Sequence, residues 1–192
     1  MNKTSIKELR FGDIQDRVKA GRSIEKQVLE VIEKIVVKSG YVVTPPTIKQ
    51  DKHDKIDGVI SRDGVSHSIQ IKFRQTGEDI LVEVIRPFTY EKVKAKVFDG
   101  RDMIGKADWY AVLHHSGKKI YWINVSVLKR FIEKAIDNFV KELENGIKLG
   151  HREDGIELKI VNDPRDGIMK LMAFVTPEKV SKAVLDADIN LE

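Results

Sequence analysis

Between residues 13 and 38 apolar side chains recur three and four positions apart, the spacing of a helix with one buried side. At about 100° per residue, Val28, Leu29, Ile32, Ile35 and Val36 fall together, and Glu25 is the one acid aligned with them. Lys26, Glu30, Glu33 and Lys34 fall elsewhere and read as solvated. Gly40 is a natural stop, while Gly21 predicts either two helices or a kink. The period then changes to two. Tyr41-Val-Val43 starts a strand before Pro45-Pro46, and strands follow near 56–61, 66–74 and 80–86. Their connections, Arg62-Asp-Gly64 and Gln75-Thr-Gly-Glu-Asp79, have good turn chemistry. Thr89 is placed to cap a helix over 90–98. A hairpin of 109–113 and 120–125 turns at Ser116-Gly-Lys-Lys119. Ser126 then caps an amphipathic helix ending at Gly146, with Leu128, Phe131, Ile132, Ala135, Phe139, Val140 and Leu143 inward. A second hairpin, 156–161 and 168–175, closes at Asn162-Asp-Pro-Arg-Asp-Gly167, and Thr176-Pro177-Glu178 opens a short final helix.

The alternation singles out one strand. In Ile69-Gln-Ile-Lys-Phe73 the apolar residues face one way, and Gln70 and Lys72 face the other. Asp57 stands thirteen residues before Gln70, in Lys55-Ile-Asp-Gly-Val-Ile60. An acid ending one strand, opposite a polar-x-Lys on the next, is how a β-hairpin builds a metal-dependent phosphodiesterase site. Glu83 lies thirteen residues after Gln70. Symmetric closure about Gly77 pairs Glu83 with Ile71, whereas a one-residue bulge puts it opposite Gln70 or Lys72. Ile80, Val82 and Val84 match Ile69, Ile71 and Phe73 better, which favours Glu83 on the site side.

The chain has 192 residues, 41% hydrophobic and 33% charged, enough for a sizeable core. One domain over 1–192 is expected, with a core at about 13–146 and a C-terminal extension at about 147–192. Without cysteine, disulfide scaffolds and cysteine-based zinc sites are excluded. The first ten residues contain no apolar block, and no apolar run nears the ~20 residues of a membrane span. A cytoplasmic protein with no membrane partner is expected. A net charge of +4 permits a nucleic-acid partner without demanding one. There is no helix-turn-helix or zinc-finger signature to supply sequence specificity.

Gly21-Arg-Ser-Ile-Glu25, Asp57 and Gln70-Ile71-Lys72 together resemble the PD-(D/E)XK nuclease superfamily. The segment Lys106-Ala-Asp-Trp-Tyr-Ala-Val-Leu113, with Tyr121-Trp-Ile-Asn-Val-Ser-Val-Leu128, looks like that fold's fourth strand and following helix. The likeness covers roughly residues 15–140. It implies an α/β, restriction-endonuclease-like core, a mixed central sheet flanked by helices, here followed by a C-terminal β-hairpin and helix. The usual second acid is Gln70 in this chain, one negative charge fewer for a metal. The set Glu25, Asp57, Gln70 and Glu83 is also similar to the small subunit of heterodimeric type IIS restriction endonucleases. That implies double-stranded DNA as substrate and a large, sequence-recognising subunit as partner.

By the same resemblance the cofactor is Mg²⁺, one or two ions. Asp57 is the central ligand, with the Ile71 carbonyl and either the Gln70 side-chain oxygen or Glu83 beside it. Glu25 holds a second ion directly or through water. Lys72 lies by the attacking water and the developing phosphorane charge, and the products carry 5′-phosphate and 3′-hydroxyl ends. Two alternatives accompany this reading: a Holliday-junction resolvase or repair endonuclease, and a non-catalytic DNA-binding or assembly module on a nuclease fold.

Other features have plainer readings. His114 and His115 are adjacent at a hairpin end and point to opposite faces, unsuited to joint chelation. Trp109, Tyr110, Tyr121 and Trp122 read mainly as packing. Lys92, Lys94 and Lys96 alternate on a helix and need not form one patch, and the 162–167 loop is a turn.

Overall fold

A computed structural model describes residues 6–47, 49–50, 56–73, 79–100, 106–146, 150–163, 167–187 and 189, with side chains from residue 21 onward. The chain opens with one helix, α1 (Ile6–Val36), which passes through Gly21 without a break. This replaces the expected pair of helices or kink; a Cβ at Gly21 would meet nothing within 4 Å, so nothing there forces a bend. A 3₁₀ turn over Val37–Ser39 ends at left-handed Gly40, the predicted stop. The buried stripe of α1 is Ile24, Val28 and Ile32, and Ile35 is exposed. The apolar face is thus rotated from the expected one, and Glu25 lies half-buried at its border.

Two sheets follow. The first is mixed and six-stranded, in the order β1 (Val42–Thr44), β2 (Gly58–Arg62), β3 (Val65–Phe73), β5 (Trp109–Leu113), β6 (Lys119–Asn124) and β10 (Ser181–Asp186). β1, β2 and β3 form an antiparallel meander. The β2–β3 turn is Asp63-Gly64, both with positive φ, as a type I′ hairpin needs. β5 runs parallel to β3, with Gln70 beside Tyr110 and Lys72 beside Val112. The second sheet is antiparallel, in the order β4 (Ile80–Ile85), β9 (Met169–Val175), β8 (Ile156–Asn162) and β7 (Gly150–Glu153).

The second sheet overturns one expectation. Strand β4 does not pair with β3; it pairs with β9, and Glu83 lies opposite Met172. The physical reason is where each apolar triplet finds cover. Ile69 and Ile71 pack with Ile24, Val28 and Ile32 of α1. Ile80, Val82 and Val84 instead join a larger cluster with Tyr110, Val112, Leu128, Ile132, Phe139 and Ala173. Matching hydrophobicity therefore led to two different cores. Residues 74–78, on which the predicted 75–79 turn falls, lie outside the described residues.

Two further helices follow, the second of which packs against both β6 of the first sheet and β7 and β8 of the second. α2 (Tyr90–Lys94) is capped by Thr89, which accepts from Lys92 N, and is shorter than the expected 90–98. α3 (Val125–Glu144) is capped by Asn124, which accepts from Val127 N at 3.2 Å, rather than by Ser126. Its buried side, Val125, Leu128, Ile132, Ala135, Ile136 and Phe139, fills the larger cluster. In place of the expected final helix opening at Thr176, a 3₁₀ turn over Pro177–Lys179 leads into β10, which pairs with β6. A serine-lysine start and exposed Ala183 and Val184 gave β10 little strand signature. The fold is thus α/β with a mixed central sheet and helices. Among the described residues no helix is long and apolar enough to cross a membrane.

The loop before residue 100 crosses β4 closely. Gly100 donates to the Val84 carbonyl at 3.0 Å, and a Cβ at Gly100 would come within 1.8 Å of the Glu83 carbonyl oxygen. That neighbour is backbone and cannot turn aside. Gly100→Ala is expected to destabilise the protein by at least about 2 kcal/mol, lowering the melting temperature by roughly 4–8 °C for a chain of this size; thermal unfolding followed by circular dichroism checks this.

Candidate active site

The β2–β3 hairpin brings together the residues singled out by the strand pattern. Gly58 pairs with Ile69, so the ladder continued by one residue sets Asp57 opposite Gln70. Asp57 N donates to Ile69 O at 2.8 Å, and its Oδ2 accepts from Ile71 N at 2.6 Å. The carboxylate thus supplies an acceptor where β2 has run out of strand, and this fixes Asp57 against the Gln70–Lys72 segment. Gln70 is 8% exposed, and Lys72 is half-buried on the same face of β3. The Lys72 Nζ lies 5.3 Å from the centroid of the Tyr110 ring on β5.

The remaining predicted residues are placed differently. Glu25 is half-buried on α1, the helix that covers the opposite, Ile69–Ile71 face of the sheet. Glu83 belongs to the second sheet and is 5% exposed. Its Oε2 accepts from Arg86 Nη1 at 3.5 Å and from Lys170 Nζ at 3.2 Å. The same two cations reach Asp163 Oδ2 at 3.1 and 3.2 Å. Glu83 is therefore one corner of a buried group of two acids and two bases, its charge balanced by Arg86 and Lys170. The expected place opposite Gln70 or Lys72 is not the one it takes.

Among the described residues no three of His, Asp or Glu gather to hold a metal. The hairpin offers one carboxylate, Asp57, beside the neutral oxygens of Gln70 and Ile71. That donor set suits Mg²⁺, which binds through one or two carboxylates, keeps several waters and takes substrate phosphate oxygens for the rest. It would suit a softer, nitrogen-seeking metal poorly.

Sequence reasoning missed two groups. The first is the Arg86, Asp163 and Lys170 partnership with Glu83. Asp163 is 1% exposed, although it sits in a segment with turn composition. Only the hairpin geometry, with Gly167 N donating to Asp163 O at 2.7 Å, carries it inward. The second is His151, 9% exposed, with Nδ1 3.0 Å from Glu142 and Nε2 3.3 Å from Glu153. Neither contact has hydrogen-bond geometry, though Glu153 also accepts from Asn138 at 2.7 Å. No local pattern in the chain signalled either. His114 and His115 do not point to opposite faces as expected: beyond the end of β5 their ring centroids lie 4.0 Å apart, with Ser116 Oγ 2.7 Å from His114 Nδ1. The plainer readings hold for other residues. Lys92, Lys94 and Lys96 pair separately with Asp99, Glu144 and Asp137. Trp109 and Trp122 stack at 5.3 Å.

Compared with family models, with curated proteins and with solved structures, the chain matches none.

Breaking the buried group should be costly, because a lost acid leaves two cations short of charge in a site with little water. Asp163→Ala is expected to cost about 3 kcal/mol, read as a lower urea midpoint. A gentler change is expected at Asp99. Burial pushes its carboxyl up, but the Lys92 ammonium and the Arg86 backbone N–H outweigh it and hold the group below its ordinary value. A depressed folded value stabilises the fold above the ordinary carboxylate range, and the gain disappears as pH falls through the folded value. Unfolding midpoints measured from pH 7 down to about 3, spanning the ordinary Asp value, should fall less in Asp99→Asn than in the wild type.

Proposed function

We propose that this protein is a Mg²⁺-dependent DNA endonuclease of the PD-(D/E)XK type, acting as the strand-cutting small subunit of a heterodimeric type IIS restriction enzyme. The observation that carries this reading is the hairpin itself: Asp57 opposite Gln70, its carboxylate bonded to Ile71 N, and Lys72 on the same face. The strand order lends support. After α1 and the antiparallel β1–β2–β3 meander, β4 and α2 intervene and β5 then returns parallel to β3, in keeping with the mixed central sheet that the resemblance implies. The predicted fourth strand, 109–113, matches β5.

Mg²⁺ bound by Asp57, with the Gln70 and Ile71 oxygens, would polarise the scissile phosphate and acidify a bound water. The chain's own residues would do the rest. Asp57 is held rigidly by the Ile71 amide, so its second oxygen has a fixed direction relative to β3. Lys72 brings a positive charge to the same face, where it would orient the nucleophile and stabilise negative charge developing on the phosphate oxygens. Gln70 offers a neutral oxygen in place of a carboxylate, which implies weak metal binding and a high Mg²⁺ requirement. Glu83, already balanced by Arg86 and Lys170, is left out of this ligand set. Glu25, on the helix that covers the opposite face of the sheet, is likewise left out of this ligand set. Sequence recognition is assigned to a partner subunit, since this chain carries no recognition motif.

The missing second acid also favours a non-catalytic assembly module, and one experiment separates the two. Nicking of supercoiled plasmid in Mg²⁺ is measured for this chain alone and with extract of its source cell. Activity that appears with the extract and falls at least about 100-fold in Asp57→Ala and in Lys72→Ala is the expected result. Self-sufficient cleavage, lost in both variants, would keep the nuclease and remove the subunit role. Cleavage indifferent to both substitutions would leave the binding module.

A further inference from the structure

We infer that Tyr110 is the positioning residue for Lys72, holding its ammonium over the aromatic face so that the charge stands fixed above the Asp57–Gln70 face. The inference rests on the nuclease reading for its catalytic meaning and on geometry for the clamp. Strands β3 and β5 are parallel, with Gln70 beside Tyr110 and Lys72 beside Val112. The Tyr110 ring therefore lies one pair behind the Lys72 stem, and the Nζ reaches to 5.3 Å from its centroid. That is within the ~6 Å over which a ring quadrupole attracts a cation.

The ring cannot move aside. Tyr110 is fully buried and packs in the cluster that includes Val112, Tyr121, Ile123 and Leu128. Lysine, by contrast, is a point charge on a flexible four-carbon stem, and a free stem would spread that charge over many positions. An anchored aromatic face narrows the choice, and the neighbouring Val112 leaves the stem one apolar wall. A tyrosine on this strand thus does more than fill the core: it sets where the Lys72 ammonium stands on the hairpin face. Arginine in place of Lys72 would stack flat on the ring and carry its charge elsewhere, so the pairing is specific to an ammonium.

The test reads the clamp and the chemistry separately. Proton and carbon NMR assign the Lys72 ε-methylene in the wild type, Tyr110→Phe and Tyr110→Leu, with thermal unfolding of each as a control. Ring current should displace the signal upfield in the wild type and in Tyr110→Phe, and the displacement should vanish in Tyr110→Leu. Plasmid nicking with the source extract is measured in parallel. Tyr110→Leu should lose about 2–30-fold in kcat, the range that corresponds to a cation over an aromatic face, with KM unchanged, and Tyr110→Phe should restore it. An undisplaced Lys72 signal in the wild type overturns the inference even if Tyr110→Leu fails to fold. So does a displaced signal that persists in Tyr110→Leu, or a Tyr110→Leu protein with full kcat. A displaced, ring-dependent signal in a protein without Asp57-dependent nicking supports the clamp and overturns the nuclease reading instead.

Discussion

Burial of Ile69 and Ile71 beneath the Ile24–Val28–Ile32 stripe of α1 decides which way β3 faces. Each such side chain removed from water contributes roughly 1.5–3 kcal/mol. A one-residue slip of β3 would turn both away from α1 and set polar residues, Lys72 among them, against the helix in their place. The polar face is a consequence of this apolar one. Once Ile69 and Ile71 are committed to the helix, Gln70 and Lys72 must emerge opposite, beside Tyr110 and Val112. The type I′ turn at Asp63-Gly64 then fixes β2 against β3 and brings Asp57 to Gln70.

Much of this was legible in the chain because it depends on local alternation and turn chemistry. The 65–73 strand, the Asp-Gly turn, the 109–113 and 119–124 hairpin and the inward face of α3 all follow from side chains within a few residues of one another. Phe131, Val140 and Leu143 are partly buried where the helical period put them, and Ile136 is the buried addition. The site hairpin was legible for the same reason: a spacing of thirteen residues and a tight turn leave little freedom of register.

The failures share a different cause. Two apolar triplets of equal quality, 69–71–73 and 80–82–84, read as neighbours, yet nothing local states which surface each will cover. Three-dimensional competition settled it, and Glu83 went with its strand to Arg86 and Lys170. β10 was missed because it lies at a sheet edge, where exposed side chains carry no alternation. The capping of α3 by Asn124 instead of Ser126 is a smaller case: both are good caps, and the β6 strand ends at the earlier one. Asp163 and His151 were invisible because both are residue types that read as turn or surface, and nothing near them in sequence announces their burial.

The departure of β4 from the first sheet has a consequence for how the polypeptide is made. β4 is made before β9, its one strand neighbour among the described residues, and α2, β5, β6, α3, β7 and β8 are made in between. β6 pairs with β5 as soon as both are made, and only its other side awaits β10. The nascent chain therefore carries Val82, Val84 and an unpaired strand edge until β9 is made, the kind of surface that chaperones bind and that seeds aggregation. Vectorial folding can complete the β1–β2–β3 meander with α1 early. The second sheet closes only once β9 has followed β7 and β8.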